Sequence, residues 1–145
     1  TGKYRWHYQA VPMDSFDFDN TSPLATADLM IDGKKTHVVM QAPKDGVFYV
    51  IEAATGKELW KDKYDAMGAT GPAQPFSGPR SSPTVADGKV VTLGIRGVVS
   101  CFDAASGAVI WKHDYPAKCN QEYGGTFSTP TFPLAIMSVG TIDRR

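Results

Sequence analysis

Ile51-Glu-Ala-Ala-Thr-Gly-Lys-Glu-Leu-Trp60 is the stretch that decides the fold, because it returns as Phe102-Asp-Ala-Ala-Ser-Gly-Ala-Val-Ile-Trp111. Each copy reads as a short apolar strand, a Gly-containing turn and a second strand closed by Trp. The turn chemistry has a mechanism: the Thr or Ser hydroxyl bonds nearby backbone, and the Gly takes positive φ. A partial copy stands at Gly2 and Trp6, so the tryptophans at 6, 60 and 111 are spaced by 54 and 51 positions. That spacing lies at the long end of the period of one β-propeller blade, and shorter helical repeats do not fit it. An indole at a fixed place after the turn is expected to wedge between neighbouring blades.

Working outward, residues 1–10 (Lys3-Tyr-Arg-Trp-His-Tyr8 at their centre) read as the closing strand of an incomplete blade. Residues 20–66 read as a complete one: Ser22 to Asp28, Ile31-Asp-Gly-Lys34, the apolar run Thr36 to Gln41, a hairpin turn at Asp45-Gly46, then Val47 to Ile51. Residues 80–115 repeat the order, with a turn at Gly94 to Gly97. Residues 124–145 begin a third unit at Gly124, but lack the Asp-Gly turn and the Gly-to-Trp phrase. Helix signals are nearly absent, since apolar residues alternate or run in short blocks between Gly and Pro. The expectation is an all-β chain, a β-propeller segment of about three four-stranded antiparallel blades forming an incomplete ring. The Gly/Pro-rich connection from Gly68 to Pro79 reads as a connector or as a functional loop.

The 145 residues suffice for a core, but closed propellers have about four to eight blades. Three blades in a row leave an apolar face at each end. The expectation is therefore a segment of a longer protein, or a chain that pairs with other copies or chains. Fifteen basic and fifteen acidic residues cancel, so no field favours nucleic acid or an anionic membrane. No run of 18 apolar residues reads as a membrane span, and no signal peptide is visible, which a secreted precursor could have lost. Cys101 and Cys119 permit one bridge, but Cys101 sits in a strand pattern where a small buried hydrophobe is favoured. Sulfur-based metal binding is disfavoured by their spacing. His7, His37 and His113 lie in separate strands, against a three-His centre.

Trp6-His-Tyr-Gln-Ala-Val-Pro-Met-Asp-Ser-Phe-Asp-Phe-Asp19 carries a resemblance. It is similar to the segment Trp-x-Tyr-Gln-x-x-Pro-x-Asp-x-Trp-Asp of the quinoprotein alcohol and methanol dehydrogenases, which are eight-bladed propellers using pyrroloquinoline quinone (PQQ). Ala27-Asp28, Ile31-Asp-Gly33, Gln41-Ala42, Lys44, Gly46-Val-Phe-Tyr49 and Ala54-Thr-Gly-Lys57 extend the match. It is dense over residues 1–66 and thins from about residue 78 to a phrase shared by many PQQ-type repeat proteins, including non-catalytic scaffolds.

The resemblance implies that Asp17 is the catalytic base and that Lys44 bonds the reactive carbonyl region of the quinone. A carboxylate taking the alcohol proton as hydride leaves contributes roughly 10²–10⁴-fold. A cation beside the quinone oxygen stabilises charge developing there. Asp17 is also expected at the metal ion. Asp19, two residues on, matches a carboxylate that accompanies a lanthanide in place of calcium in one branch of the family, and hard cations take many oxygen ligands. The cofactors implied are PQQ with calcium or a lanthanide, the substrate a small primary alcohol, and the location periplasmic or secreted. Phe16 stands where the family commonly has Trp, and Pro43 and Asp45 where it has Asn. The remaining ligands, the aromatic floor and the vicinal disulfide of the family site have no counterpart in this sequence. A non-catalytic propeller scaffold or binding module, and a truncated or recombined segment, are the alternatives.

Overall fold

Apolar residues at alternate positions give each strand one face to bury, and Asp-Gly pairs reverse the chain between them. The computed structural model describes residues 2–15, 23–65 and 81–114. β1 (Ala25–Ile31), β2 (Lys34–Gln41), β3 (Val47–Glu52) and β4 (Glu58–Lys63) form one antiparallel sheet in sequential order. β5 (Thr84–Ala86), β6 (Lys89–Leu93), β7 (Val98–Asp103) and β8 (Val109–Asp114) form a second in the same order. The described chain is thus all-β with two separate four-stranded blades and no closed ring. Asp32 and Gly33 have φ of 50° and 74°, and Asp87 and Gly88 have 48° and 70°. Positive φ at both central residues gives the hairpin turn whose twist matches that of the strands.

From the middle of β2 onward the blades repeat with one offset. Val38 pairs with Glu52 as Lys89 pairs with Asp103, and the ladder slips at Val50/Ile51 as it does at Cys101/Phe102. Ala53 N–H donates to His37 O at 2.9 Å, and Ala104 N–H donates to Gly88 O at 2.9 Å. The first blade differs in its β1–β2 hairpin, which projects further beyond this point, from Asp28 to His37.

The main core lies between the blades. Leu29, Val38, Met40, Phe48, Val50 and Trp60 of the first meet Val90, Phe102 and Ala104 of the second. Phe48, Trp60 and Phe102 sit with ring centroids 5.6 to 6.2 Å apart, within the range of favourable aromatic pairs. On the far face of the second sheet Val91, Val99 and Cys101 form a smaller cluster flanked by Trp111. Cys101 therefore serves as a small core hydrophobe; Cys119 lies outside the described residues.

The wedge expected of the repeated Trp is present. Trp60 donates its indole N–H to Ala104 O at 3.1 Å and lies on Gly107, where an added Cβ would meet the ring at 2.6 to 2.8 Å. Trp6 does the same to Ala53 O at 2.9 Å and to Gly56, at 2.7 to 2.9 Å. The turn glycines are thus needed twice, for positive φ (77° and 72°) and for close approach.

Residues 2–9 form no strand ladder among the described residues, so the segment expected as a closing strand is held by side chains, Trp6 foremost. The unit expected at 124–145 and the connection at 68–79 lie outside the described residues.

At the other end of β4 a second tie joins the blades. Tyr64 donates to Ile95 O at 3.0 Å across Gly94, and Lys112 lies 3.6 Å from Asp62 and 5.2 Å from the Tyr64 ring centre. Burial, with Asp114 and Asp62 adding to it, pushes the Tyr64 phenol from 10.0 up to about 12. A raised folded-state value means the contribution is complete below pH 10 and is lost as the pH climbs to 12. Tyr64→Phe is expected to cost about 0.5–1.5 kcal/mol at neutral pH and to lessen the alkaline fall in stability. Denaturant melts at neutral and strongly alkaline pH measure both.

Candidate functional site

The β2–β3 turn is where the sequence puts Lys44. Gly46 N–H donates to Pro43 O at 3.1 Å, Gly46 has φ 81°, and Asp45 Oδ1 accepts Val47 N–H at 3.0 Å. An Asp closing its own turn in this way is the ordinary use of that side chain. Pro43 is fully buried and Lys44 half-buried. Among the described residues the Lys44 ammonium makes no ion pair and no side-chain hydrogen bond. A partly desolvated cation without a carboxylate is a receptive partner for an anion or a polarised carbonyl.

Beside this turn runs the segment that leads toward Asp17. Trp6 anchors one end of it on the Ala53 turn, and Ala10 lies at the other. Tyr49 of β3 donates to Asp45 Oδ2 at 2.7 Å, and its Oη lies 3.4 Å from Ala10 O. Tyr8 meets Tyr49 edge-on, with centroids 5.4 Å apart, and donates to Glu58, which Lys61 pairs at 3.2 Å. Burial first, then the bonds to Glu58 and Asp45, pushes the phenols of Tyr8 and Tyr49 well above their ordinary value. The Tyr8 hydroxyl holds the Glu58 carboxyl below the usual carboxylate range. Together these effects keep the protons on the two tyrosines and leave the Glu58 carboxylate ionised.

Of the residues expected at the site, Lys44 is therefore placed at a turn adjoining the anchored segment. Asp17 and Asp19, expected as base and metal ligands, lie outside the described residues. Among the described residues no group of three or more His, Cys, Asp or Glu stands ready to hold a metal ion. His7 bonds Tyr4 at 2.6 Å, His37 bonds Asp28 at 2.7 Å, and His113 lies against Trp111. The Asp28 carboxyl, held low first by Lys35 and then by His37, belongs to the projecting hairpin at the end of the sheet away from Lys44. Sequence reasoning did not single out Tyr8, Tyr49 or Glu58, although both tyrosines fall inside matched motifs. Asp45 was visible as a turn residue and as a departure from Asn, and it is also the residue that receives the Tyr49 hydroxyl.

The family model for the glucose/ethanol/alcohol dehydrogenase β-propeller domain matches residues 1–73, and that for outer membrane protein assembly factor BamB matches residues 44–132. Quinohemoprotein alcohol dehydrogenase ADH IIB of Pseudomonas putida is 50% identical over 64 residues, which is 44% of this chain and 9% of that protein. The dehydrogenase subunit of alcohol dehydrogenase (quinone) from Gluconobacter oxydans is 44% identical over 64 residues, 44% of this chain and 8% of that protein. The chain thus spans less than about a tenth of the length of these relatives. The crystal structure of quinohemoprotein alcohol dehydrogenase from Comamonas testosteroni matches 80% of this chain and 28% of its own with a TM-score of 0.59 at 18% identity, a likeness of fold. No helix among the described residues is long and apolar enough to cross a membrane.

Proposed function

The chain belongs to the glucose/ethanol/alcohol dehydrogenase β-propeller family, and on that premise we propose that it is a segment of a PQQ-dependent alcohol dehydrogenase acting on primary alcohols. One observation carries the reading: Lys44, half-buried and without an ion pair among the described residues, sits on the turn against which the segment running to Asp17 is anchored. When bound, PQQ supplies the acceptor for the hydride that leaves the alcohol carbon. Lys44 would hold the quinone by its carbonyl region and favour negative charge there. Asp17 takes the hydroxyl proton as the C–H bond breaks, so that alcohol becomes aldehyde. Asp17 and Asp19 would be the chain's carboxylates for calcium or a lanthanide. Other blades, from a longer chain or from partner chains, complete the ring, and a periplasmic or secreted setting accompanies the family assignment.

The match of residues 44–132 to the outer membrane assembly factor favours a second reading, a non-catalytic propeller that presents loops to partners. The two readings separate on cofactor affinity. An absorbance spectrum of the purified chain is expected to show a bound quinone, or PQQ titrated in is expected to quench tryptophan fluorescence saturably. Lys44→Met should weaken that binding about tenfold or more, the loss of one charge-assisted hydrogen bond. With PQQ and either metal the isolated chain is expected not to turn over primary alcohols. No quinone binding at all, or binding indifferent to Lys44→Met, returns the scaffold reading.

A further inference from the structure

The two blades close the same joint in different ways. In the second, Ile95 O accepts the hydroxyl of Tyr64, which stands four residues after Trp60. By the repeat the counterpart of Ile95 is Lys44, since Gly46 and Gly97 end the two turns with φ of 81° and 79°. The counterpart of Tyr64, four residues after Trp6, is Ala10, which has no hydroxyl to donate. The first joint is closed instead by Tyr49, which stands where the second blade has Ser100, and by Asp45, which stands where it has Arg96. The single Tyr49 proton is shared unequally: Asp45 Oδ2 at 2.7 Å is the main acceptor, and Ala10 O at 3.4 Å the weaker one. The tie has moved from the lysine's position to its neighbour, and its donor from the preceding segment to the blade.

We propose that Tyr49 is a positioning residue, a clasp that holds the Lys44 turn against the segment leading to Asp17 and leaves the Lys44 ammonium for a ligand. The ligand's identity rests on the dehydrogenase reading; the clasp does not. Tyr8, edge-on to Tyr49 and itself bonded to Glu58, keeps the Tyr49 ring from swinging toward solvent.

Amide hydrogen exchange and lysine acetylation on the full 145-residue chain test this. Tyr49→Phe is expected to raise exchange across residues 8–14 by about fivefold, the factor for one hydrogen bond, and to raise acetylation of Lys44 relative to Lys34 and Lys57. Asp45→Asn, whose amide oxygen still accepts, should keep both near wild type, and Tyr64→Phe should change neither. Should Tyr49→Phe fail to fold, Asp45→Ala breaks the same clasp from the acceptor's side. Wild-type behaviour in both variants, or an even rise over all eight strands, overturns the proposal. PQQ titration of the same proteins separates the two ideas: a clasp that responds in a chain that binds no quinone leaves Tyr49 its role and removes the dehydrogenase reading.

Discussion

Trp60→Ala is expected to lose about 3–5 kcal/mol of folding free energy, the range for truncating a buried Trp. Such a loss is a large share of the roughly 5–15 kcal/mol that typically holds a domain together. Trp60 is only 8% exposed and touches both blades: Phe48 on its own sheet, Phe102 and the Gly107 turn on the next. Truncation leaves a cavity in the shared core and strips Ala104 O of its donor, so transfer, cavity and hydrogen-bond losses coincide. Urea melts of wild type and variant measure the loss. Trp111→Ala is the comparison, because among the described residues Trp111 flanks just the smaller cluster of its own sheet and is half-buried. A loss from Trp111→Ala equal to that from Trp60→Ala contradicts the wedge.

Gly107→Ala attacks the same contact from the other side and is expected to cost about 2–5 kcal/mol. Part is conformational, since φ is 72° and an L-residue held there costs about 1–2 kcal/mol. The rest is steric, about 1–3 kcal/mol for overpacking, because the new methyl would lie 2.6 to 2.8 Å from the Trp60 ring and the buried indole has nowhere to retreat. Gly33→Ala isolates the first part: its φ is 74° and nothing lies within 4 Å of the added Cβ. In a Trp60→Ala background the cost of Gly107→Ala should shrink to that of Gly33→Ala. The shrinkage is the coupling energy of the pair, readable from a double-mutant cycle in urea. Additive losses contradict the contact.

The blades were legible because their signals are local. Alternation, Asp-Gly turns and a Trp after a Gly turn all act within about ten residues, and β1–β4 and β5–β8 fall where those signals put them. Residues 2–9 form no ladder among the described residues for the opposite reason: a strand-like sequence makes a strand possible, but only a hydrogen-bonded neighbour makes it one. The site was half legible. Lys44 came from a motif, yet its surroundings came from long-range partners such as Ala10 and Tyr49, which no local pattern pairs. Asp45 was legible as a turn residue and as a departure from the motif, but its bond to the Tyr49 hydroxyl was not.

The projecting β1–β2 hairpin offers a practical handle. Its tip, Asp32-Gly33, is exposed, and β2 runs its whole length between that tip and the Lys44 turn. A fluorophore or affinity tag grafted at the tip would report on this protein while leaving the opposite rim of the blade untouched.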